Sequence, residues 1–150
     1  MKRLIILIIS FLCFTQAFSE EHLEFLGFPI DGTVNEYASK LKSKGFYVSP
    51  ENEYASKGLR VMEGPFLGNI ESFGLHYDPD TEKMFSVTFV HSFFYEKDAK
   101  VLYDKLESLL HEKYDNATYK SQLEGSFLNS CSFQSNKGII SLIITEQDYE

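Results

Sequence analysis

Histidines, cysteines and alternating carboxylates are the residues of this 150-residue chain whose types and spacing could do chemistry. His22, His76, His91 and His111 come first, because imidazole changes its charge near neutral pH and so suits acid–base or nucleophilic work. His91 falls on the apolar parity of a strand pattern, where a neutral ring with one hydrogen bond is an ordinary core or rim residue. His76 stands just before a turn at Asp78, which puts it at a strand end near solvent. An enzyme of unfamiliar design would have to be built around His76, His91 and nearby carboxylates.

Glu107, His111 and Asp115 lie four residues apart and would line one helical stripe, a spacing that invites a metal reading. That stripe flanks an apolar face, as solvated charges do, and neither an HExxH segment nor paired cysteines supply further ligands. Asp78, Asp80 and Glu82 alternate like the start of a calcium loop. Pro79 and the missing downstream Gly and Glu do not fit one. Cys131 shares strand parity with Phe127, Asn129 and Phe133, which makes it a small buried apolar residue rather than a nucleophile. The chain has no GxSxG elbow and no glycine-rich phosphate loop, so no catalytic, metal or cofactor residues are assigned and no cofactor is expected.

Aromatic residues are abundant, with 14 Phe and 9 Tyr but no Trp, which disfavours a sugar platform without excluding one made of Tyr. Phe93, Phe94 and Tyr95 are the segment of interest. Three consecutive aromatics at a strand end cannot all point inward, so either a loop covers Phe94 or the three form a contact patch. The covered arrangement is the expectation.

The elements that must position these residues follow a leader. Lys2 and Arg3 precede an apolar run over residues 4–14, and Ala17 with Ser19 supply the small side chains for a cut before Glu20. This order of charge, apolar run and small residues is that of a secretory signal peptide. The expected organisation is a signal peptide over 1–19 and a single α+β domain over 20–150. A cut after Ala17 is the alternative, and Leu12 before Cys13 argues against a lipoprotein. The apolar run is short of the roughly 20 residues that span a bilayer as a helix, and the mature chain is expected to have no transmembrane segment. It would keep Cys131 as its only cysteine, and hence no internal disulfide. With 12 basic against 22 acidic residues it would carry a formal charge of −10, a sign that disfavours phosphate backbones, so no nucleic acid is expected as a partner.

Within the domain, Thr33 and Glu36 have the spacing of a capping box. Val34, Tyr37, Ala38 and Leu41 then repeat with helical period, and Gly45 is the stop. Strands are expected over 46–49, 58–62, 66–77 and through Phe85, Val87, Phe89, His91 and Phe93 on one parity. The stretch 66–77 is imperfect, and Gly68 and Gly74 suggest a bulge or bend. Asp78-Pro79-Asp80-Thr81 suits a type I turn. A second helix over 96–114 carries Ala99, Leu102, Leu106, Leu109 and Leu110 as its apolar stripe. A short strand at Tyr119 and strands over 126–134 and 139–145 complete the chain, the last apolar enough to be central. The hexapeptide over 35–40 recurs identically over 52–57, once on a helix and once between strands. The expected fold is thus an antiparallel sheet of about six or seven strands with two helices on one face, arranged as two related helix-plus-strands halves.

The segment Phe25-Leu26-Gly27-Phe28-Pro29-Ile30-Asp31-Gly32, then Lys44-Gly45-Phe46, Gly64-Pro65-Phe66-Leu67-Gly68, and Tyr103, Leu106, Leu110 and Lys113-Tyr114 resemble a group of uncharacterised exported proteins of Bacteroidetes. That resemblance implies a Gram-negative envelope setting. At the level of fold the pattern is also similar to beta-lactamase-inhibitor-like proteins. Together these readings point to a small exported, periplasmic or secreted, non-catalytic binding module. Its partner is expected to be another envelope or extracellular protein, with a peptide or glycan as further options. An outer-membrane assembly or structural factor is the alternative alongside the enzyme.

Overall fold

In a computed structural model of the full chain, residues 2–13, 23–115, 117–122, 127–135 and 138–149 are described. The first helix, α1 (Val34–Lys42), starts where its local chemistry dictates. The Thr33 hydroxyl accepts from the Glu36 amide, and the Glu36 carboxylate accepts from the Thr33 amide at 2.8 Å, closing the capping box. Val34, Tyr37, Ala38 and Leu41 are buried, as their spacing requires. Gly45, at φ 90, turns the chain back toward the sheet. The second helix, α2 (Glu96–Lys113), buries Ala99, Tyr103 and Leu106. Its buried stripe runs through Tyr103, with Leu102 and Leu110 half-covered beside it and Leu109 exposed, a correction to the expected leucine face.

The strands are β1 (Lys2–Cys13), β2 (Glu24–Phe25), β3 (Phe28–Pro29), β4 (Tyr47–Val48), β5 (Leu59–Phe66), β6 (Asn69–Tyr77), β7 (Met84–Phe93), β8 (Thr118–Gln122), β9 (Phe127–Ser135) and β10 (Gly138–Tyr149). All but β2 and β3 form one sheet in the order β4-β5-β6-β7-β1-β10-β9-β8, with every adjacent pair antiparallel; β2 and β3 make a separate hairpin. The architecture is α+β, as read from the sequence. The sheet has eight strands rather than six or seven, and the difference is β1. The segment expected to be a signal peptide lies, in this 150-residue chain, between β7 and β10, with Ile9 paired to Phe89 on one side and Leu142 on the other.

Alternate residues of the central strands face a single core. Met62, Phe73, Leu75, Val87, Phe89, Ile9, Leu142 and Ile140 are buried there with Val34, Tyr37, Ala38 and Leu41 of α1 and Ala99, Tyr103 and Leu106 of α2. Neither described helix packs on the other face, which carries Val61, Gly74, Thr88, Ser10 and Ser141 in register across the sheet.

Two sequence expectations change here. The stretch 66–77 is not one strand: Leu67 and Gly68, at φ 52 and 89, make a two-residue turn between β5 and β6. Two positive φ values are the geometry of a type I′ hairpin turn. Phe66 and Asn69 close that hairpin, so the next pair, Pro65 and Ile70, is the kind that exchanges no backbone hydrogen bonds, and the missing N–H of Pro65 costs the ladder nothing. The second change is a register shift between His76 and Tyr77, which pairs Tyr77 with Met84 and His76 with Ser86. It takes Phe85 out of the core parity and leaves it exposed, while Met84 is buried.

Candidate interaction surface

The sequence-derived catalytic pair is not assembled. On β6 and β7 the buried Phe73, Leu75, Val87 and Phe89 define the core face, and His91 shares it whereas His76 belongs to the opposite one. His76 is half-buried, its ring centroid 6.3 Å from that of Phe85, and burial lowers its pKa, favouring the neutral ring. It borders a shallow depression of about 260 Å³ on the helix-free face, together with Leu59, Val61, Gly74, Thr88 and Val90, and no acidic residue lines that space. General acid–base work needs a second proton-transferring or charge-stabilising group within reach. None stands there among the described residues.

His91 has a structural partner instead. Its Nδ1 lies 2.8 Å from Glu71 Oε2 on the adjacent strand, and since a carboxylate only accepts, Nδ1 carries the proton. Glu71 is nearly covered, so this bond keeps a carboxylate satisfied at the end of the core. The His91 ring stacks over Phe89 at 6.1 Å and meets the edge of Phe93 at 4.5 Å, making a column along β7 from core to rim.

The metal-spaced residues of α2 also have other work. Glu107 accepts from the Tyr119 hydroxyl, and His111 packs on the rings of Tyr119 and Phe133 at 4.6 and 4.8 Å, so this stripe clasps β8 and β9 to the helix. Among the described residues no three His, Cys, Asp or Glu side chains converge as a metal site would need. Asp78 accepts from the amides of Asp80 and Thr81 and from the Thr81 hydroxyl, bonds that hold its pKa down and fix the turn. Cys131 is buried, and its thiol is pushed up to about 11, chiefly by burial, next to the Tyr103 hydroxyl. An apolar cavity of about 170 Å³ lies between α2 and the sheet, walled by Ile9, Phe25, Phe66, Phe89, Leu106 and Leu110.

The aromatic segment ends the column on β7. Phe93 is half-buried against His91, but Phe94 is 88% and Tyr95 71% exposed. Among the described residues no loop covers Phe94, contrary to expectation, for a simple reason. Phe94 and Tyr95 are themselves the whole connection between β7 and α2, and Tyr95 is the residue that caps the helix with its backbone alone. The register of β5, β6 and β7 brings the Leu67-Gly68 turn to this same end of the sheet, where Leu67 is 42% and Ile70 60% exposed. Phe94, Tyr95, Leu67 and Ile70 are thus all exposed at one end of the sheet. Ala17, Ser19 and Glu20 of the expected cleavage site, and His22, lie outside the described residues. Compared with known proteins, the chain matches no family model, no curated protein and no solved structure.

Proposed function

We propose that this chain is a small exported binding module of a bacterial envelope, freed of residues 1–19 by cleavage before Glu20, that engages another protein through Phe94 and Tyr95 with Leu67 and Ile70 beside them. The observation that carries this reading is the exposure of two consecutive large aromatics on a two-residue strand-to-helix junction. Aromatic side chains provide large contact area at low entropic cost, and interface hot spots are enriched in them. The acidic balance of the chain suits a partner with a basic or apolar face.

The test is recovery of partners by the tagged protein from cross-linked envelope extract of its host, comparing the native chain with Phe94→Ala/Tyr95→Ala. A dominant protein partner whose affinity falls roughly 30-fold or more in the variant, as loss of about 2 kcal/mol at a hot spot implies, supports the reading. Equal recovery by both proteins, or no specific partner in membrane, periplasmic and secreted fractions, refutes it.

A further inference from the structure

Strands β7 and β10 both run antiparallel to β1, so they are parallel to each other, separated by one strand. Sheet spacing puts their backbones roughly 10 Å apart. Between them β1 pairs over Ile5–Leu12 with β7 and over Lys2–Cys13 with β10. Taking β1 away would leave the inner edges of both strands, in the middle of the sheet, without partners. Buried backbone groups without hydrogen-bond partners are strongly unfavourable, so the slot does not stay open.

We infer that in the cleaved chain β7 and β10 close on each other as a parallel pair, giving a seven-stranded sheet in the order β4-β5-β6-β7-β10-β9-β8. This rests on the cleavage proposed above. Three observations carry it beyond that.

The first is parity. Through Ile9, Phe89 stands across from Leu142, and both are buried on the core face; through Ser10, Thr88 stands across from Ser141 on the helix-free face. The two strands can meet without turning any side chain to the wrong side, the condition a one-residue slip would violate. The second is connection. Parallel neighbours need a long crossover, usually with a helix, and the chain between β7 and β10 contains α2, which touches β7, β1 and β10. The third is the pattern of the whole. Without β1 the large sheet consists of α1 with β4 to β7 and α2 with β8 to β10, two helix-plus-strands units meeting at their last strands.

Closure also replaces one wall of the 170 Å³ cavity, because Ile9 departs and Leu142 approaches Phe89. The leader and the β7–β10 pair are therefore mutually exclusive occupants of one place, and the precursor and the cleaved protein differ in their central pairing.

The test uses the chain expressed with its own leader and exported. Intact mass first reports whether residues 1–19 are gone. Thr88→Cys with Ser141→Cys, in a Cys131→Ser chain, is then oxidised, because a disulfide cannot bridge Cα atoms more than about 7 Å apart. The closed pair oxidises to the disulfide in the cleaved protein, whereas in the leader-bearing chain, purified and given the same oxidant, the two introduced thiols stay unbridged. Backbone cross-peaks between the Phe89 and Leu142 regions in NMR spectra of the cleaved native protein are the second readout, independent of the substitutions. A cleaved, folded protein that shows neither overturns the inference while leaving the export reading intact. A mass that still includes residues 1–19 after export overturns both. Recovery of the open slot filled by added peptide of the Lys2–Cys13 sequence, with no β7–β10 contacts before its addition, also overturns it.

Discussion

At the residue scale, His91 and Cys131, two of the groups that looked reactive, are held by packing and hydrogen bonds. His91 is bound to Glu71 and sandwiched in the aromatic column of β7, while His76 looks out from the other face of the sheet. Cys131 is the sharpest case. A thiol at about 11 is thiolate in on the order of one molecule in a thousand at pH 8, and the side chain is buried as well. In a Cys13→Ser chain, alkylation of native Cys131 at pH 8 should therefore run about two orders of magnitude slower than in urea-unfolded protein, where an ordinary pKa near 8.5 applies. A native rate within a few-fold of the unfolded one, followed by the mass gained on alkylation, would show that the site is open. Strand parity with Phe127 and Phe133 makes that burial readable from sequence, and parity also separates the two histidines: His76 alternates with the buried Leu75, whereas His91 shares the face of Val87 and Phe89.

At the element scale, legibility follows how local the determining contacts are. The first helix was readable to its cap, because Thr33, Glu36 and Gly45 act within a few residues of each other. The identical hexapeptides show the opposite. Tyr37 of the first copy is fully buried on α1, while Tyr54 of the second ends a 3-10 turn (Pro50–Tyr54) in solvent, so six residues alone do not decide their fate. The β5–β6 hairpin was hidden because Leu67 takes a left-handed conformation that non-glycine residues rarely adopt. One signal was there: Phe-Leu-Gly occurs at 25–27 and at 66–68, and both copies make tight hairpin turns with Leu at positive φ. The contact rim was half legible, since three aromatics in a row had to expose one, but the brevity of the β7–α2 connection emerged only with the strand's end. Gly64 gives the test at this scale. A Cβ there would lie 2.3 Å from the Phe46 ring, inside the packing of Phe46 on Phe73. Gly64→Ala should destabilise the chain by about 1–3 kcal/mol, the usual cost of overpacking, measured as a lowered urea midpoint. An unchanged midpoint would mean that Phe46 moves freely.

At the scale of the whole molecule, one continuous core joins α1, α2 and the large sheet. Chains of this size with a single core unfold in one step, so the tyrosine near-ultraviolet signal and the far-ultraviolet backbone signal should lose their structure at the same urea concentration. Midpoints that separate would instead indicate that the α1 and α2 halves melt independently. The outer rims of the sheet have a consequence of their own. On one side β4 pairs over only two residues and leaves Pro65 beyond it; on the other, β8 is five residues long and presents an exposed Lys120. Short, proline-marked and lysine-bearing margins are poor templates for another chain's backbone. Fibril-like stacking of one copy on the next is thereby discouraged at both ends, so the protein can keep large aromatics in solvent at Phe94 and Tyr95 without its sheet seeding aggregates at high concentration.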